Sequence, residues 1–342
     1  MAKDDVPKII HFIWVGGTLK HSQLYWIAEW ARKNTGYQTW VWYDTRHLLA
    51  NVLRKKVASN PNLRQHTTAD QYLGGDKGRR QFLSRYNIME VDEAKEKKRE
   101  LKSAWNDEAT QILSKYSNIS LKNVKTDLGG MTSQHLYDME LNDWGGNMAG
   151  ASDVLRVELL VQFGGVYLDI DLECIKPFPT FRVRRDLALF GNWQAADGGP
   201  RLNNAIIASA PGSAILQEYR DHQANFFTAM ENGSVTQYLS GLFNNFDSRS
   251  LPNWVRTNPS FTAGVGPGWL HDETLSGNKS RRELAILRST GPGAALTVAG
   301  QHFVQSAQRG QRSFEEEFLF PQGYVNFDTP AQRVSSTRNA DL

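Results

Sequence analysis

A chain of 342 residues with 40% hydrophobic and 22% charged residues can bury a large core as one or two domains. Its net charge of +3 argues against a dedicated nucleic-acid binder, and its single cysteine, Cys174, excludes an internal disulfide and a thiolate metal cluster. No basic and apolar leader opens the chain and no apolar run of about 18 residues occurs, so neither a signal peptide nor a membrane-spanning helix is expected.

Residues 8–15, KIIHFIWV, form an apolar β-rich run stopped by Gly16-Gly17. Leu19 to Arg32 has helical spacing, with Leu24, Ile27, Ala28 and Ala31 on one face. YQTWVWYD at 37–44 reads as the next strand, so a βαβ unit with two parallel strands is predicted. Trp14 and Asp44 then stand near the carboxyl ends of neighbouring strands, where open α/β sheets bind ligands. Residues 45–75 look mainly helical. Residues 76–125 shift towards charge and read as a helical insertion, either a solvated face or a surface that docks a partner.

The centre of the chain is ASDVLRVELLVQFGGVYLDID at 151–171. Ser152 and Asp153 are placed as the N-cap of an apolar-faced helix, and Gly164-Gly165 as its C-terminal stop. Val166-Tyr167-Leu168 then predicts a buried strand carrying Asp169 and Asp171 on one face, their positions about 7 Å apart at ~3.3 Å per residue. After it, Pro177 and Pro179 take the chain off the sheet, and 187–193 is a strand. Residues 201–204 are expected as a loop before a short strand at Ala205–Ala208. Helical spacing returns over 213–246, and 250–342 is expected to be irregular, rich in Gly, Pro, Ser and Asn.

Two acids at a strand end repel unless a cation lies between them. Hard carboxylate oxygens suit Mg²⁺ or Mn²⁺, which complete their shells with phosphate and water. A divalent ion at Asp169 and Asp171 would stabilise a diphosphate leaving group. Asp153 and Arg156 share a helix face at i, i+3, as a capping pair or as groups that hold hydroxyls and a phosphate. Trp14 fits either a core or a platform for a nucleobase, and Tyr167 shares the face of Asp169. The eight histidines show no metal spacing, and no P-loop, G-x-S-x-G or dinucleotide fingerprint stands in the right context. D-x-D also occurs in haloacid-dehalogenase-like phosphatases, which want Thr or Val two residues later. Leu172-Glu173 stands there instead.

The blocks KIIHFIWVGG and ASDVLRVELLVQFGGVYLDID, in this order, resemble the DXD-motif GT-A glycosyltransferase domains of bacterial toxins that modify host Rho-family GTPases. The large clostridial glucosylating toxins and the tyrosine-modifying domain of a Photorhabdus toxin carry such blocks. The resemblance implies an α/β GT-A fold over 1–342 as a single domain: a mixed, mainly parallel sheet flanked by helices, with helical and C-terminal additions. It implies retaining transfer from a UDP-sugar, UDP-GlcNAc ahead of UDP-glucose, to a protein hydroxyl, tyrosine first. Ile13, Trp14 and Val15 would hold the uracil, Ser152, Asp153 and Arg156 the ribose, sugar and diphosphate. Asp169 would contact the donor, Asp171 would bind Mn²⁺ or Mg²⁺, and Tyr167 would support the donor. Asn203, Asn204 and His302 are weaker donor-site candidates, with Asn204 foremost.

The clostridial toxins begin with a longer helical segment that binds membranes, whereas only seven residues precede the first strand here. Peripheral membrane contact would then come from another element. The expected setting is a fragment of a secreted bacterial toxin acting in the host cytosol, near the inner face of the plasma membrane. A Golgi-type DXD sugar or glycolipid transferase and an inactive sugar-nucleotide or partner-binding module are the other readings.

Overall fold

The computed structural model describes residues 3–17, 21–60, 76–113, 115–142, 148–194, 200–243, 248–256, 290–306 and 313–326. In chain order the elements begin with β1 (Lys3–Asp5), β2 (Ile9–Ile13), α1 (His21–Lys33), β3 (Gln38–Tyr43) and α2 (Ala50–Ala58). Next come α3 (Asp76–Arg85), α4 (Val91–Leu113), β4 (Ile119–Asn123), α5 (Val124–Asp127), α6 (Gln134–Asn142) and α7 (Met148–Phe163). The chain continues through β5 (Gly165–Leu168), β6 (Glu173–Cys174), β7 (Arg182–Arg184), β8 (Ala188–Gln194) and β9 (Pro200–Ser209). It closes with α8 (Ala214–Glu231), α9 (Val235–Phe243), α10 (Asn253–Arg256), α11 (Pro292–Ser306), α12 (Phe314–Phe318) and β10 (Val325–Asn326).

Two compact units share the chain. The first comprises Met1–Pro7, Val157–Tyr167 and Thr180–Gln322; the second comprises Lys8–Arg156, Leu168–Pro179 and Gly323–Leu342. In the second unit, β2 pairs with β3 in parallel register, Ile9 opposite Gln38 and Ile13 opposite Trp42. β3 pairs in parallel with β4, Thr39 opposite Ile119. The βαβ unit read from the sequence is therefore present, because the apolar period of α1 lets it cover the sheet it connects. Leu24, Ile27, Trp30 and Ala31 are buried along one helix face, together with Ile10, Phe12, Val41 and Trp42 on the strands. Trp30 Nε1 donates to Leu172 O at 2.8 Å, and the Asn34 amide donates to Trp30 O and accepts from Phe178 N. Buried Cys174 lies beside Asn34, and burial pushes its thiol up to about 11, so it stays a protonated packing group.

In the first unit the strand order is β5-β9-β8, with β8 and β9 antiparallel and a register shift between Phe190 and Gly191. The bulge is tolerated because Gly191 leaves room for the Asn203 side chain, which would lie 2.0 Å from a Cβ there. The mixed, mainly parallel sheet flanked by helices is present as expected.

Four local expectations need correction. Residues 201–204 are not a loop; they are the first half of β9, a ten-residue strand. Strand β4 emerges from the charged stretch at 76–125, whose ISLKN has too few apolar residues to announce it. The region 250–342 includes the fifteen-residue helix α11, whose Ala294, Ala295, Leu296, Val298 and Ala299 are buried. Finally, α7 starts at Met148, so Ser152 and Asp153 lie within its second turn rather than capping it. Met, Ala and Gly before them continue the helix, and the Asp153 carboxylate pairs with Arg156 one turn on.

The helix end behaves as read. Gly164 has φ +63°, and its N–H donates to Leu160 O at 2.9 Å, closing the last turn. A Cβ on Gly164 would stand 2.7 Å from Pro211 N and 2.9 Å from Ser209 O, both backbone atoms. Gly164→Ala should therefore destabilise the fold by about 2 kcal/mol or more, read as a lowered thermal midpoint. A midpoint unchanged within error would contradict this strained-cap account.

Candidate functional site

The polar site in the second unit is built where strands end. Trp14 follows β2, and its backbone N–H donates to Trp42 O at 2.9 Å. Ile13 and Val15 on either side are buried, so they fix the strand and leave the indole as the half-exposed group. Gly16 has φ +87°, and a Cβ there would meet the Met148 side chain at 2.9–3.0 Å. The turn after Trp14 is thus pressed against the first residue of α7. Gly16 O accepts from Asn51 N at 2.9 Å, which ties the turn to the start of α2.

The indole Nε1 of Trp14 is buried and has no hydrogen-bond partner among the described residues. An unmet buried donor costs about 1–3 kcal/mol, and a ligand acceptor would remove that cost. On the expectation that Trp14 is a platform for a nucleobase, Trp14→Phe should keep the aromatic face and weaken nucleotide binding only several-fold, whereas Trp14→Ala should weaken it about a hundredfold. Isothermal titration with UDP checks this ordering. Equal affinity in all three proteins would remove Trp14 from the site.

On α7, Arg156 is 4% exposed and Asp153 6% exposed. Arg156 Nη2 lies 2.9 Å from Asp153 Oδ1 and 3.3 Å from Asp169 Oδ1, and 3.5 Å from the Ser152 hydroxyl. The shared helix face expected for Asp153 and Arg156 is present, and the guanidinium joins α7 to the segment after β5. A buried carboxylate needs such a partner, and the fork of donors on arginine can serve two acids at once.

Asp169 and Asp171 do not alternate along a strand. Strand β5 ends at Leu168, and Leu172 N donates to Asp169 O at 3.2 Å, so residues 169–172 form a turn. The spacing derived from an extended chain therefore does not apply. The turn arises because Leu172 is buried under Trp30 while the two carboxylates stay half-buried. Aspartate is favoured at turn positions in any case.

Among the described residues no group of three or more His, Cys, Asp or Glu side chains is arranged to hold a metal ion. The donor set present fits a different kind of site. An ion bound through one or two carboxylates, with phosphate and water completing its shell, matches a turn bearing Asp171 and an arginine-paired Asp169.

The remaining candidates lie in the first unit. Tyr167 on β5 is 2% exposed. Asn204 is buried on β9, with its amide donating to the Tyr219 hydroxyl at 3.3 Å, and Tyr219 in turn donates to Thr290 O. Asn203 Oδ1 accepts from Ala205 N at 3.1 Å, which serves the bulge. His302 lies 3.2 Å from Glu218 and 3.9 Å from Asp186, and Arg184 also reaches Asp186.

Sequence reading missed a buried ionic cluster at the carboxyl end of β3. Arg46 grips Asp44 through Nε and Nη2 at 2.7–3.1 Å, and Tyr137 donates to Asp44 Oδ2 at 3.1 Å. Burial works to raise the Asp44 carboxyl, but its bonds to the Arg46 side chain and backbone and the Arg46 charge hold it below the usual carboxylate range. The only sequence signal was the run Asp44-Thr45-Arg46-His47 directly after a strand.

Comparison with known proteins follows the same lines. The family model of the TcdA/TcdB catalytic glycosyltransferase domain matches residues 8–64 and 76–174. The chain is 30% identical over 207 residues to Toxin B of Clostridioides difficile, covering 49% of this chain and 8% of that protein. It is 24% identical over 256 residues to Subversion of eukaryotic traffic protein A of Legionella pneumophila, covering 75% of this chain and 31% of that protein. The chain thus spans less than a third of the length of either relative. In structure it is similar to the catalytic domain of alpha-toxin from Clostridium novyi, with TM-score 0.69, 15% identity, and 98% and 80% of the two chains covered. The UDP-bound glycosyltransferase domain of the YGT toxin gives TM-score 0.63 at 15% identity, with 97% and 82% covered. The resemblance to toxin glycosyltransferase domains and the GT-A type of fold are both borne out.

Proposed function

We propose that this chain, related to the clostridial glucosylating toxins and sharing their fold, is a retaining glycosyltransferase that moves a sugar from a UDP-sugar to a protein hydroxyl. The observation that carries the reading is Arg156, buried and held between Asp153 and Asp169 beside the turn that bears Asp171. A guanidinium fixed in this way meets a diphosphate without reorganising, which is what stabilising a departing UDP requires. Asp153, still paired with Arg156, turns its remaining acceptor sites to sugar or ribose hydroxyls, and Trp14 offers to the base its indole face and an N–H that has no partner among the described residues. When bound, a divalent ion at Asp171, with Asp169 beside it, supplies Lewis-acid neutralisation of the diphosphate.

No carboxylate of the chain is assigned as a nucleophile. The acceptor hydroxyl attacks from the face that UDP leaves, and its proton passes to the departing phosphate oxygen. The bound UDP of the YGT neighbour supports a uridine donor. UDP-GlcNAc is the first candidate, a tyrosine of a host Rho-family GTPase the first acceptor, and the host cytosol the setting. Among the described residues no helix is long and apolar enough to cross a membrane. Incubating purified protein with RhoA and labelled UDP-GlcNAc, UDP-glucose and other common donors tests this. Label on RhoA from one donor is expected; RhoA unlabelled across all of them would reject the toxin-type reading.

A further inference from the structure

The two halves of the proposed donor site are carried by different stretches of the second unit. Trp14 and Gly16 are anchored through Asn51, while Asp153 and Arg156 ride on α7 after α6. Arg79 of α3 stands between these stretches and is 1% exposed. Its Nη2 donates to His47 Nδ1 at 3.0 Å and to Leu141 O, near the end of α6, at 2.8 Å. Its Nη1 donates to Asp76 Oδ1 at 3.2 Å. Asp76 Oδ1 also accepts from Leu49 N at 2.9 Å, and Asp76 N donates to Arg46 O, so the 44–51 segment is gripped from both sides. Lys98 of α4 adds an ion pair to Asp76 Oδ2 at 2.9 Å.

At the other end of the same connection, Glu140 is 1% exposed, with its carboxylate laid against the first turn of α7. A Cβ on Gly150 would lie 2.4 Å from Glu140 Oε2. Only a residue without a side chain lets that carboxylate sit there.

Protonation of His47 is settled by geometry. A guanidinium has donors only, so Nδ1 facing Arg79 must be the acceptor. The ring proton is therefore on Nε2, which donates to Asp138 Oδ1 at 3.3 Å. The charged groups around the ring are Asp44 and Arg46 on its own segment, Arg79 with Asp76 from α3, and Asp138 beside Tyr137 from α6. A second ring proton would point at the Arg79 donor that now supplies the bond.

We propose that Arg79 and neutral His47 form a buried brace that positions the 44–51 segment, and with it Asn51, Gly16 and Trp14, relative to α6 and the start of α7. This rests on the donor-site reading above. Arg79 and His47 are positioning residues, acting through Asn51 and Leu141. A second ring proton on His47 would meet the Arg79 donor instead of accepting from it, so the closed brace requires the neutral ring. Burial and Arg79 together act to keep the ring unprotonated, against the pull of Asp138 and Asp44. With the folded value depressed, the stabilisation is complete above the ordinary histidine value of about 6.5, begins to fall below it as the opened segment takes up a proton, and is lost as pH falls on through the folded value.

Native-state amide exchange on the whole chain tests the brace without any ligand. The Leu49 and Asn51 amides should exchange at least about tenfold faster in Arg79→Met than in the parent, with partial recovery in Arg79→Lys. The parent should show the same acceleration, corrected for intrinsic rates, between about pH 7.5 and pH 5.5. His47→Gln, whose amide offers an acceptor and a donor without titrating, should lose that pH dependence. UDP affinity measured with Mn²⁺ should be weaker in Arg79→Met than in the parent, with partial recovery in Arg79→Lys. Unchanged exchange at Leu49 and Asn51 in Arg79→Met, or an unaltered pH profile in His47→Gln, would overturn the brace. Failure of the parent to bind UDP would instead reject the donor site, with the exchange result still deciding the brace.

Discussion

Asp171→Asn should abolish sugar transfer, lowering kcat/KM by about a thousandfold or more, while leaving the melting temperature nearly unchanged. Asp171 is half-buried in the turn closed by Leu172 N and Asp169 O, and asparagine is at home in turns. The substitution therefore removes one negative charge while keeping the size and shape of the side chain. A divalent ion held by one or two carboxylates and completed by phosphate depends on that charge more than on shape. UDP-sugar hydrolysis and transfer to the acceptor should fall together, because the charge acts on the leaving group common to both. Activity within about tenfold of the parent would place the metal, or the chemistry, elsewhere.

The second large effect is at Arg156. Arg156→Ala should cost about a hundredfold to a thousandfold in kcat/KM and also destabilise the fold by about 3 kcal/mol. Both losses have the same origin. Arg156 and Asp153 are buried, and removing the guanidinium strands a carboxylate away from water beside a second one at Asp169. Arg156→Lys should recover most of the stability but much less of the activity, since an ammonium cannot fork between two acids and a phosphate. Melting curves and steady-state kinetics on the two variants separate these effects. Full activity in Arg156→Ala would remove Arg156 from the diphosphate site.

Much of the second unit was legible because its signals are local. β2, α1 and β3 each carry their apolar period within the element, and Gly16 and Gly164 adopt the positive φ that their positions suggested. Arg156 was legible for the same reason, since its partner Asp153 is one helical turn away. The D-x-D pair was recognised, but its geometry was not. A strand pattern of Val-Tyr-Leu says where apolar packing stops, and it does not say that Leu172 will fold back beneath Trp30 and turn the chain.

The start of α7 was misplaced because a serine and an aspartate look like a cap wherever they precede apolar residues. Which partner the carboxylate takes is decided in three dimensions. The Arg79 cluster lay beyond any local pattern. His47 meets Asp138 across 91 positions, and Arg79 meets Leu141 across 62. Only the fold brings together charges that, in sequence, belong to a run that looks like a solvated helix. That run is in fact two-faced. Lys95–Asp92 and Lys97–Glu100 pair on the exposed side of α4, where such pairs contribute little, while Lys98 reaches buried Asp76.

The turn at Asp169–Asp171, with Arg156 and Trp14, is proposed to activate a UDP-sugar. Release of UDP from UDP-GlcNAc and UDP-glucose by the purified chain, with Mn²⁺ and with EDTA, tests it most directly. The account predicts release from one of these donors with Mn²⁺, its loss in EDTA, and its loss in the Asp169→Asn, Asp171→Asn double variant. Release that persists in the double variant with EDTA present, or no release from any UDP-sugar with Mn²⁺, would contradict it.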